Sequence, residues 1–382
     1  MYHTIGRPNP RWLWSHLTCS PEILADQIAT LGARGYHAAT LDDVDESVKT
    51  GRLPRRKCVV LTFDDGYLDN WVYAYPMLKK AGWKGIVYVN PDFVDPGETP
   101  RPNLEDVWAG RCAETDLPLH GFLNWAELEI MDRSGVLQVG CHSMTHTWYP
   151  SGPSIADFHR PGLDTPWLAW NADPARKPFY LTEDQSGIMP WGTPIHENGR
   201  SLGIRRWFPD PDQEAATVAH VQRHGGADFF TREGWKDELL GVAREADQGR
   251  GRAETDDELD ERYRHEITGA RRALAMRLGR SIDHFCWPGG AYNDASWAVA
   301  EAEEFRTMTV KRHDLTRLEA PGTTRVRRIS DHHHYMFLGR IRKAPGADLL
   351  ADACDREWGQ RRARAAMLVR KAIWALRANP SR

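Results

Sequence analysis

Short apolar runs and helically spaced apolar positions alternate along most of the chain. Four runs are continuous and β-prone, which is typical of strands buried on both faces; they cover 58–63, 85–89, 136–141 and 282–287. Apolar residues recur every three or four positions over 23–31 and 259–278, which is the spacing of amphipathic helices. Strands that alternate with helices predict a parallel α/β sheet or barrel.

Residues 148–257 interrupt this alternation. The segment contains ten prolines and six tryptophans with little periodicity, and a structureless loop of that length is uncommon in a compact domain. We therefore expect a folded insertion, either a lid or a substrate-binding subdomain. It would lie within a discontinuous domain formed by 1–147 and 258–345.

The last part of the chain, 346–382, predicts a basic C-terminal helix. From 356 onward it has seven arginines and one lysine against one glutamate, with Leu368, Ile373 and Leu376 on an apolar side. Such a helix either docks on the body with a solvated basic face or contacts a membrane surface. Its short length and its alanine content favour the docked arrangement.

Composition and charge exclude several classes of protein. The chain has 382 residues, 41% of them hydrophobic, and a formal net charge of −3. These values allow a large core and argue against a nucleic-acid binder. The six cysteines form no C-x-x-C pair, which is typical of a reduced protein. Since no secretory signal and no run of about 18 apolar residues is visible, we expect a cytoplasmic location, including the inner membrane surface.

Two polar motifs follow predicted strands. Asp64-Asp65-Gly66 comes directly after the first run, where side chains line the ligand crevice of α/β folds. Adjacent carboxylates repel each other unless a cation or a shared proton compensates, although Asp-Asp-Gly is also ordinary turn chemistry. His142 and His146 follow the third run. They project from one face if a helix starts there, and are otherwise an unrelated surface or core pair.

Taken together, the two motifs predict a catalytic metal site. Two neutral imidazoles and one carboxylate suit zinc or a similar divalent cation. Three protein ligands leave coordination positions open, as catalytic metals require.

A third motif follows the fourth run and reads Trp287-Pro288-Gly289-Gly290-Ala291-Tyr292-Asn293. With LTFDDG at 61–66, HSMTH at 142–146 and Tyr2-His3 near the start, the sequence resembles the polysaccharide deacetylase family (the NodB-homology domain, carbohydrate esterase family 4). The resemblance covers about 1–150 and 258–340, with three motifs in the family's order. It implies an α/β fold, a distorted (β/α)7 barrel with its site at the carboxyl ends of the strands, carrying here a large inserted subdomain.

The resemblance also assigns roles to individual residues. It implies that Asp64 is the general base and that Asp65, His142 and His146 bind the metal. Its last motif places the general acid at His332, with the adjacent His333 and His334 as alternatives. The residues implied to shape the substrate groove are Trp287, Pro288, Gly289 and Tyr292.

One departure from the family pattern concerns the support of the base. The family usually has an arginine two residues before the proline of the third motif, where this chain has Cys286. Arg205 and Arg206 of the insertion are the candidates to hold Asp64 instead.

The implied function is a metal-dependent hydrolysis that removes N-acetyl groups, or else O-acetyl groups, from a polysaccharide or lipid-linked glycan, as in bacterial surface-polysaccharide biosynthesis. The implied cofactor is Zn²⁺, with Co²⁺, Ni²⁺ or Mn²⁺ as alternatives. The tryptophans of the insertion would stack on sugar rings or form the insertion's own core. Two other functions stay open: an amidohydrolase acting on a small cyclic amide or ureide, and a catalytically inactive barrel that binds glycan.

Overall fold

The structure, a computed structural model, describes residues 1–52, 57–310, 323–331, 333–337, 340–344, 346–360 and 362–377. Its strands are β1 (His37–Ala38), β2 (Cys58–Val59), β3 (Leu61–Phe63), β4 (Gly85–Val89), β5 (Leu137–Cys141), β6 (Trp148–Phe158), β7 (Pro194–Arg200), β8 (Trp207–Phe208), β9 (Arg252–Ala253), β10 (His284–Phe285), β11 (Thr307–Val310), β12 (Thr324–Arg327), β13 (His334–Phe337) and β14 (Arg340–Lys343). Its helices are α1 (Pro21–Ala33), α2 (Leu41–Thr50), α3 (Tyr75–Ala81), α4 (Leu104–Trp108), α5 (Trp125–Arg133), α6 (Pro166–Ala172), α7 (Pro211–Arg223), α8 (Trp235–Ala246), α9 (Asp256–Arg264), α10 (Ala270–Leu278), α11 (Asp294–Ala302), α12 (Asp348–Glu357) and α13 (Ala363–Arg377).

The central sheet is parallel and curled. Its strands lie in the order β12-β11-β10-β5-β4-β3, and β1 pairs in parallel with β2. Only Val60 separates β2 from β3, so the two form one strand that pairs with β1 through β2 and with β4 through β3. Counted this way, the wall of the barrel is seven strands wide within the described residues. The predicted α/β barrel is confirmed.

The two edges of this sheet meet across the site. Arg328 follows β12 at one edge and Asp64 follows β3 at the other, yet the Arg328 Nη1 and Asp64 Oδ1 atoms are 2.5 Å apart. The N-terminal segment runs alongside β3, since the Tyr2 N–H donates to the Thr62 carbonyl at 2.7 Å. The curvature therefore brings side chains from distant parts of the chain to one mouth of the barrel.

Two predicted elements differ in detail from the observed ones. A first wide turn, at Asn70–Ala74, precedes α3, and a second, at His265–Gly269, joins α9 and α10 where one helix was expected over 259–278. The run 282–287 pairs only at β10. Turns wider than the α-helix often mark functional sites, and the second of these turns supports the site described below.

The insertion over 148–257 folds into its own elements. β6 and β7 form an antiparallel pair, and β8 pairs with β9. The antiparallel helices α7 and α8 pack on a small apolar core that contains Phe158, Val221, Phe229 and Leu239. The insertion is tied to the barrel by Lys177, whose buried ammonium lies 2.7 Å from the Asp92 carboxylate.

The C-terminal helix α13 docks on the body. Its Met367 lies in an apolar cluster with Leu349 and Ala353 of α12, whereas Leu368, Val369 and Ile373 are exposed. Membrane contact through this exposed face stays a prediction. No helix among the described residues is both long and apolar enough to cross a membrane.

Candidate functional site

A pocket of about 320 Å³ opens at the carboxyl ends of the barrel strands. Its lining includes ionisable groups, among them Asp64, Asp65, His142 and His146. It also includes a set of aromatic side chains: Trp12, Trp14, Tyr67, Phe93, Phe122, Trp148, Trp170 and Tyr180. Pockets of this kind, mostly apolar with a few convergent polar groups, are typical of binding and active sites.

The acidic pair lies in a strained turn directly after β3. Asp64 is buried, and its N–H donates to the Tyr2 carbonyl at 2.9 Å. Asp65 adopts a left-handed backbone with φ of 73°, and Gly66 follows with φ of 70°. A non-glycine residue in this conformation costs about 1–3 kcal/mol, a strain that clusters at functional sites.

The two predicted histidine ligands lie on a loop after β5, so the helix considered for these residues is wrong. Positive φ values at Ser143 (71°) and His146 (44°) turn the loop back on itself. The buried Asn90 amide donates to the carbonyl oxygens of His142 and Ser143. The loop thereby brings both imidazoles to the same point without helical spacing.

Glu266, which is fully buried in the wide turn before α10, holds the far end of this loop. Its carboxylate accepts from the Thr145 N–H at 3.0 Å, from the Thr145 hydroxyl and from the Ser201 hydroxyl at 2.7 Å. No sequence motif marks Glu266 for this role. Wide turns often mark functional sites, so the turn at His265–Gly269 is the feature that could have identified Glu266.

Three side chains converge on one atom. The Nε2 atoms of His142 and His146 lie 3.2 and 3.3 Å from Asp65 Oδ1, and that oxygen is buried without a hydrogen-bond partner among the described residues. Ligands about 2.0–2.1 Å from a tetrahedral cation are separated by roughly 3.3 Å. The spacing therefore fits a divalent cation coordinated by Asp65, His142 and His146.

The tautomer of His142 also fits a metal ligand. Its Nδ1 lies 2.8 Å from the Cys286 carbonyl oxygen. Because a carbonyl only accepts, Nδ1 must carry the proton, and the Nε2 lone pair is free to coordinate. This backbone contact orients the ring as it does in known metal sites.

The electrostatics of the three groups call for positive charge. Burial would raise the pKa of Asp65, but the imidazoles of His146 and His142 hold it far below its ordinary value. Burial lowers the pKa of His146 to about 4, which favours the neutral imidazole that binds metals. Burial also opposes charge on His142, but Cys286 and the Asp65 and Asp64 carboxylates raise its pKa. A cation bound at Asp65 Oδ1 would stabilise the negative charge of this carboxylate in place of a charged imidazole.

Asp64 is held by Arg328, not by the residues considered from the sequence. The arginine lies 2.5 Å from Asp64 Oδ1. Burial would raise the pKa of Asp64, but Arg328, followed by His142 and His3, outweighs it and lowers the pKa. Both Arg205 and Arg206 are wrong as candidates, because they lie on the insertion and contact Glu254 there.

The Cys286 thiol lies 4.0 Å from both Asp64 carboxylate oxygens. This chain therefore keeps an arginine on the buried carboxylate although Cys286 occupies the usual position. The arginine comes from the end of β12 instead.

The third motif contributes less to the pocket than predicted. Gly289 lines it, and Pro288 lines a small adjoining cavity beside His146. Trp287 is wrong as a groove wall because it is 0% exposed and stacks in the core on Trp297, with ring centroids 5.6 Å apart. Tyr292 packs against Trp287 at 5.1 Å and does not line the pocket, so the structure contradicts its predicted role as well.

The histidine run is placed only in part. His332 lies outside the described residues. His333 is buried, with Nδ1 2.5 Å from Asp331 Oδ2 and Nε2 3.1 Å from the His16 carbonyl oxygen. His334 starts β13, and burial followed by the charge of His333 lowers its pKa to about 4. Neither His333 nor His334 lines the pocket.

His3 is a pocket residue to which the sequence analysis gave no role. It lines the pocket, and its charge contributes to the low pKa values of Asp64 and Asp65. In the sequence, Tyr2-His3 contributes only to the family resemblance. The pairing of Tyr2 with Phe63 at the edge of β3 is what carries His3 to the carboxylates.

The insertion supplies part of the aromatic wall. Trp148 stacks on Trp14 with ring centroids 5.6 Å apart, and Trp170 meets Phe93 edge-on at 5.0 Å. The Arg200 guanidinium lies 5.4 Å from the Trp148 ring centre and enters the pocket near Gly289. Two of the six tryptophans of the insertion thus face the pocket.

Comparison with known proteins agrees with this geometry. The model of the family described as "Polysaccharide deacetylase" matches residues 51–159. "Putative polysaccharide deacetylase YxkH" of Bacillus subtilis is 34% identical over 89 residues, which are 23% of this chain and 30% of that protein. The poly-beta-1,6-N-acetyl-D-glucosamine N-deacetylase of Escherichia coli K12 is 26% identical over 125 residues, 33% of this chain and 17% of that protein. The chain thus spans less than a third of the length of either curated relative.

Among solved structures, a de-N-acetylase from Aggregatibacter actinomycetemcomitans aligns with a TM-score of 0.52 at 14% identity, covering 86% of this chain and 92% of that one. The shared fold is a (β/α) barrel. The matched part of this chain includes both the acidic pair and the histidine loop, so the similarity to the polysaccharide deacetylase family that the motifs predicted extends to the residues of the site.

Proposed function

We propose that this protein hydrolyses N-acetyl amide bonds of a glycan with the help of a divalent cation, Zn²⁺ first, held by Asp65, His142 and His146. The observation that carries the proposal is the convergence of these side chains at Asp65 Oδ1, beside a second, buried carboxylate. The match of residues 51–159 to the polysaccharide deacetylase family model supports the same reaction. The substrate named for the Escherichia coli relative makes an N-acetylglucosamine polymer the first one to test.

The two kinds of lining residue have different tasks. Trp14, Trp148 and Tyr180 give the pocket apolar surface that sugar rings can contact. Arg200 offers donors for hydroxyl or anionic groups of the glycan. Because Trp148 lies 5.6 Å from the His146 ring, a sugar bound against it would lie close to the imidazoles.

Asp64 is suited to act as the general base. A bound cation would supply Lewis-acid chemistry, acting on the acyl carbonyl and on the attacking water. Asp64 stays ionised because of Arg328 and accepts the proton of that water. For the proton of the leaving amine, His3 is the candidate within the described residues because it lines the pocket, while His332 stays a sequence-based prediction.

The test is acetate release by the purified, zinc-loaded protein. We expect equal amounts of acetate and free amine from N-acetylglucosamine oligomers and no ring opening of a cyclic imide or ureide. Ring opening without acetate release would replace the proposal with the small-amide hydrolase. Glycan binding without any turnover by the metal-loaded protein would replace it with the inactive glycan-binding barrel.

A second expectation concerns Arg328, which acts through Asp64. In Arg328→Gln the carboxylate loses its anchor, and because misplacing a reacting group by about 1 Å costs roughly 100-fold in rate, we expect kcat to fall by that order. KM and zinc content should change little, and Arg328→Lys should recover part of kcat. Steady-state kinetics with metal analysis measures all three.

Arg205→Gln is the matched control, since that arginine pairs with Asp256 on the insertion and should leave kcat unchanged. A wild-type kcat in folded Arg328→Gln would show that Asp64 needs no such support.

A further inference from the structure

The helical hairpin of the insertion carries a group of potential ligands that the pocket does not use. His220 lies in the last turn of α7, His224 follows one turn later, and Glu238 lies in the first turn of α8. One ligand atom of each lies within 4.8 Å of the other two. None of the three lines the pocket.

The ring of His224 is oriented for coordination. Its Nδ1 lies 2.8 Å from the His220 carbonyl oxygen, which also accepts from the His224 N–H at 3.1 Å. The carbonyl only accepts, so Nδ1 carries the proton and Nε2 keeps its lone pair. A backbone contact on the second nitrogen is how metal-binding histidines are usually fixed.

The other two side chains are also held in place. His220 Nε2 lies 2.7 Å from Glu238 Oε1, while the second Glu238 oxygen lies 3.1 Å from an Arg232 guanidinium nitrogen. The His220 and His224 rings stack with centroids 4.1 Å apart, and Phe229 packs edge-on against His220 at 5.5 Å. The donors therefore sit on two helices that a shared apolar core keeps together.

We infer that His220, His224 and Glu238 form a second divalent-cation site, which cross-links α7 and α8. Two imidazoles and a carboxylate are a donor set for Zn²⁺. The His220–Glu238 separation of 2.7 Å needs to open only to about 3.3 Å for both atoms to reach one tetrahedral cation. Three ligands and the exposure of His224 leave a position for water.

The role of this site is structural. A cation that binds only the folded hairpin stabilises it by mass action. The insertion that it braces carries Trp148 and Arg200 into the pocket, yet the inference does not depend on the reaction proposed there.

The experiment compares zinc content after equilibrium dialysis against buffered Zn²⁺ at low micromolar free concentration. We expect the wild type to hold one zinc equivalent more than His224→Ala and than Glu238→Gln. Glu238→Gln is chosen because its amide keeps a partner for His220, so the hairpin should still fold, as circular dichroism would check. The matched control is His265→Ala, an exposed histidine of another segment, which should keep the full zinc content.

Three further results decide the inference. Thermal unfolding of the wild type should shift upward with zinc, and this shift should shrink in Glu238→Gln. The variant His146→Ala should still bind zinc at the hairpin, which separates this site from the one in the pocket. The inference would be overturned if the zinc content were equal in the wild type, His224→Ala and Glu238→Gln. It would also be overturned if a difference appeared only at millimolar zinc, which would indicate an adventitious ion only.

Discussion

In His146→Ala, acetate release should fall by about 1,000-fold or more, and one equivalent of zinc should be lost. The Nε2 atom of His146 is one of three donors around Asp65 Oδ1, and two donors hold a cation far less well than three. A Lewis acid contributes several kcal/mol to such a reaction, and about 4 kcal/mol corresponds to roughly 1,000-fold in rate. Chelation of the wild type should produce the same loss, and added Zn²⁺ should reverse it.

Alanine keeps a Cβ at this left-handed position, so His146→Ala leaves the backbone strain in place. The unfolding temperature should be measured together with activity to show that the variant is folded. His37→Ala, which changes an exposed histidine of β1, serves as the control and should keep its rate. Full activity of His146→Ala without bound metal would exclude a metal-dependent reaction at this site.

Asp64→Asn should lower kcat by roughly 100- to 10,000-fold, the range that general-base catalysis contributes, while zinc content stays that of the wild type. The asparagine has the shape of the aspartate but cannot take a proton from water. Metal content separates this variant from His146→Ala, in which rate and metal fall together.

The same substitution should also destabilise the fold, because it leaves the charge of Arg328 without its carboxylate. Removing one member of a buried ion pair costs about 3–5 kcal/mol, and the Arg328 side chain is 14% exposed. Denaturant unfolding should therefore show a lower midpoint, and the double variant Asp64→Asn/Arg328→Gln should recover part of it. A folded, zinc-loaded Asp64→Asn with wild-type turnover would exclude Asp64 as the base.

Local sequence was sufficient to predict the carboxylate and imidazole motifs. Asp64-Asp65 and His142 directly follow the buried strands β3 and β5, and parallel strands end at the same side of a sheet, so the sequence alone predicts that these motifs lie close together. The helix considered at 142–146 was wrong because Ser143 and His146 adopt left-handed conformations that no residue type there announces. The motif therefore indicated the candidate ligands, although the helix predicted for it was wrong.

The partner of Asp64 could not be predicted, since it depends on how far the sheet curls. Arg328 and Asp64 follow strands at opposite edges of the sheet order, and only closure of the barrel brings them together. Trp287 failed for a related reason: its position in the third motif was correct, but its ring turns into the core toward Phe285 and Trp297. Sequence spacing indicates where the backbone passes but not which way a side chain points.

The insertion also has a consequence for how the chain is made. β10 adds to the free edge of β5 through the pair Phe285–Cys141, and the entire insertion is synthesised between these two strands. At ribosomal speeds of about 5–20 residues per second, β5 waits roughly 7–30 s for its neighbour. During that time the unpaired edge of β5 can pair with other nascent chains. Early folding of the insertion next to this edge would therefore reduce aggregation of the incomplete barrel.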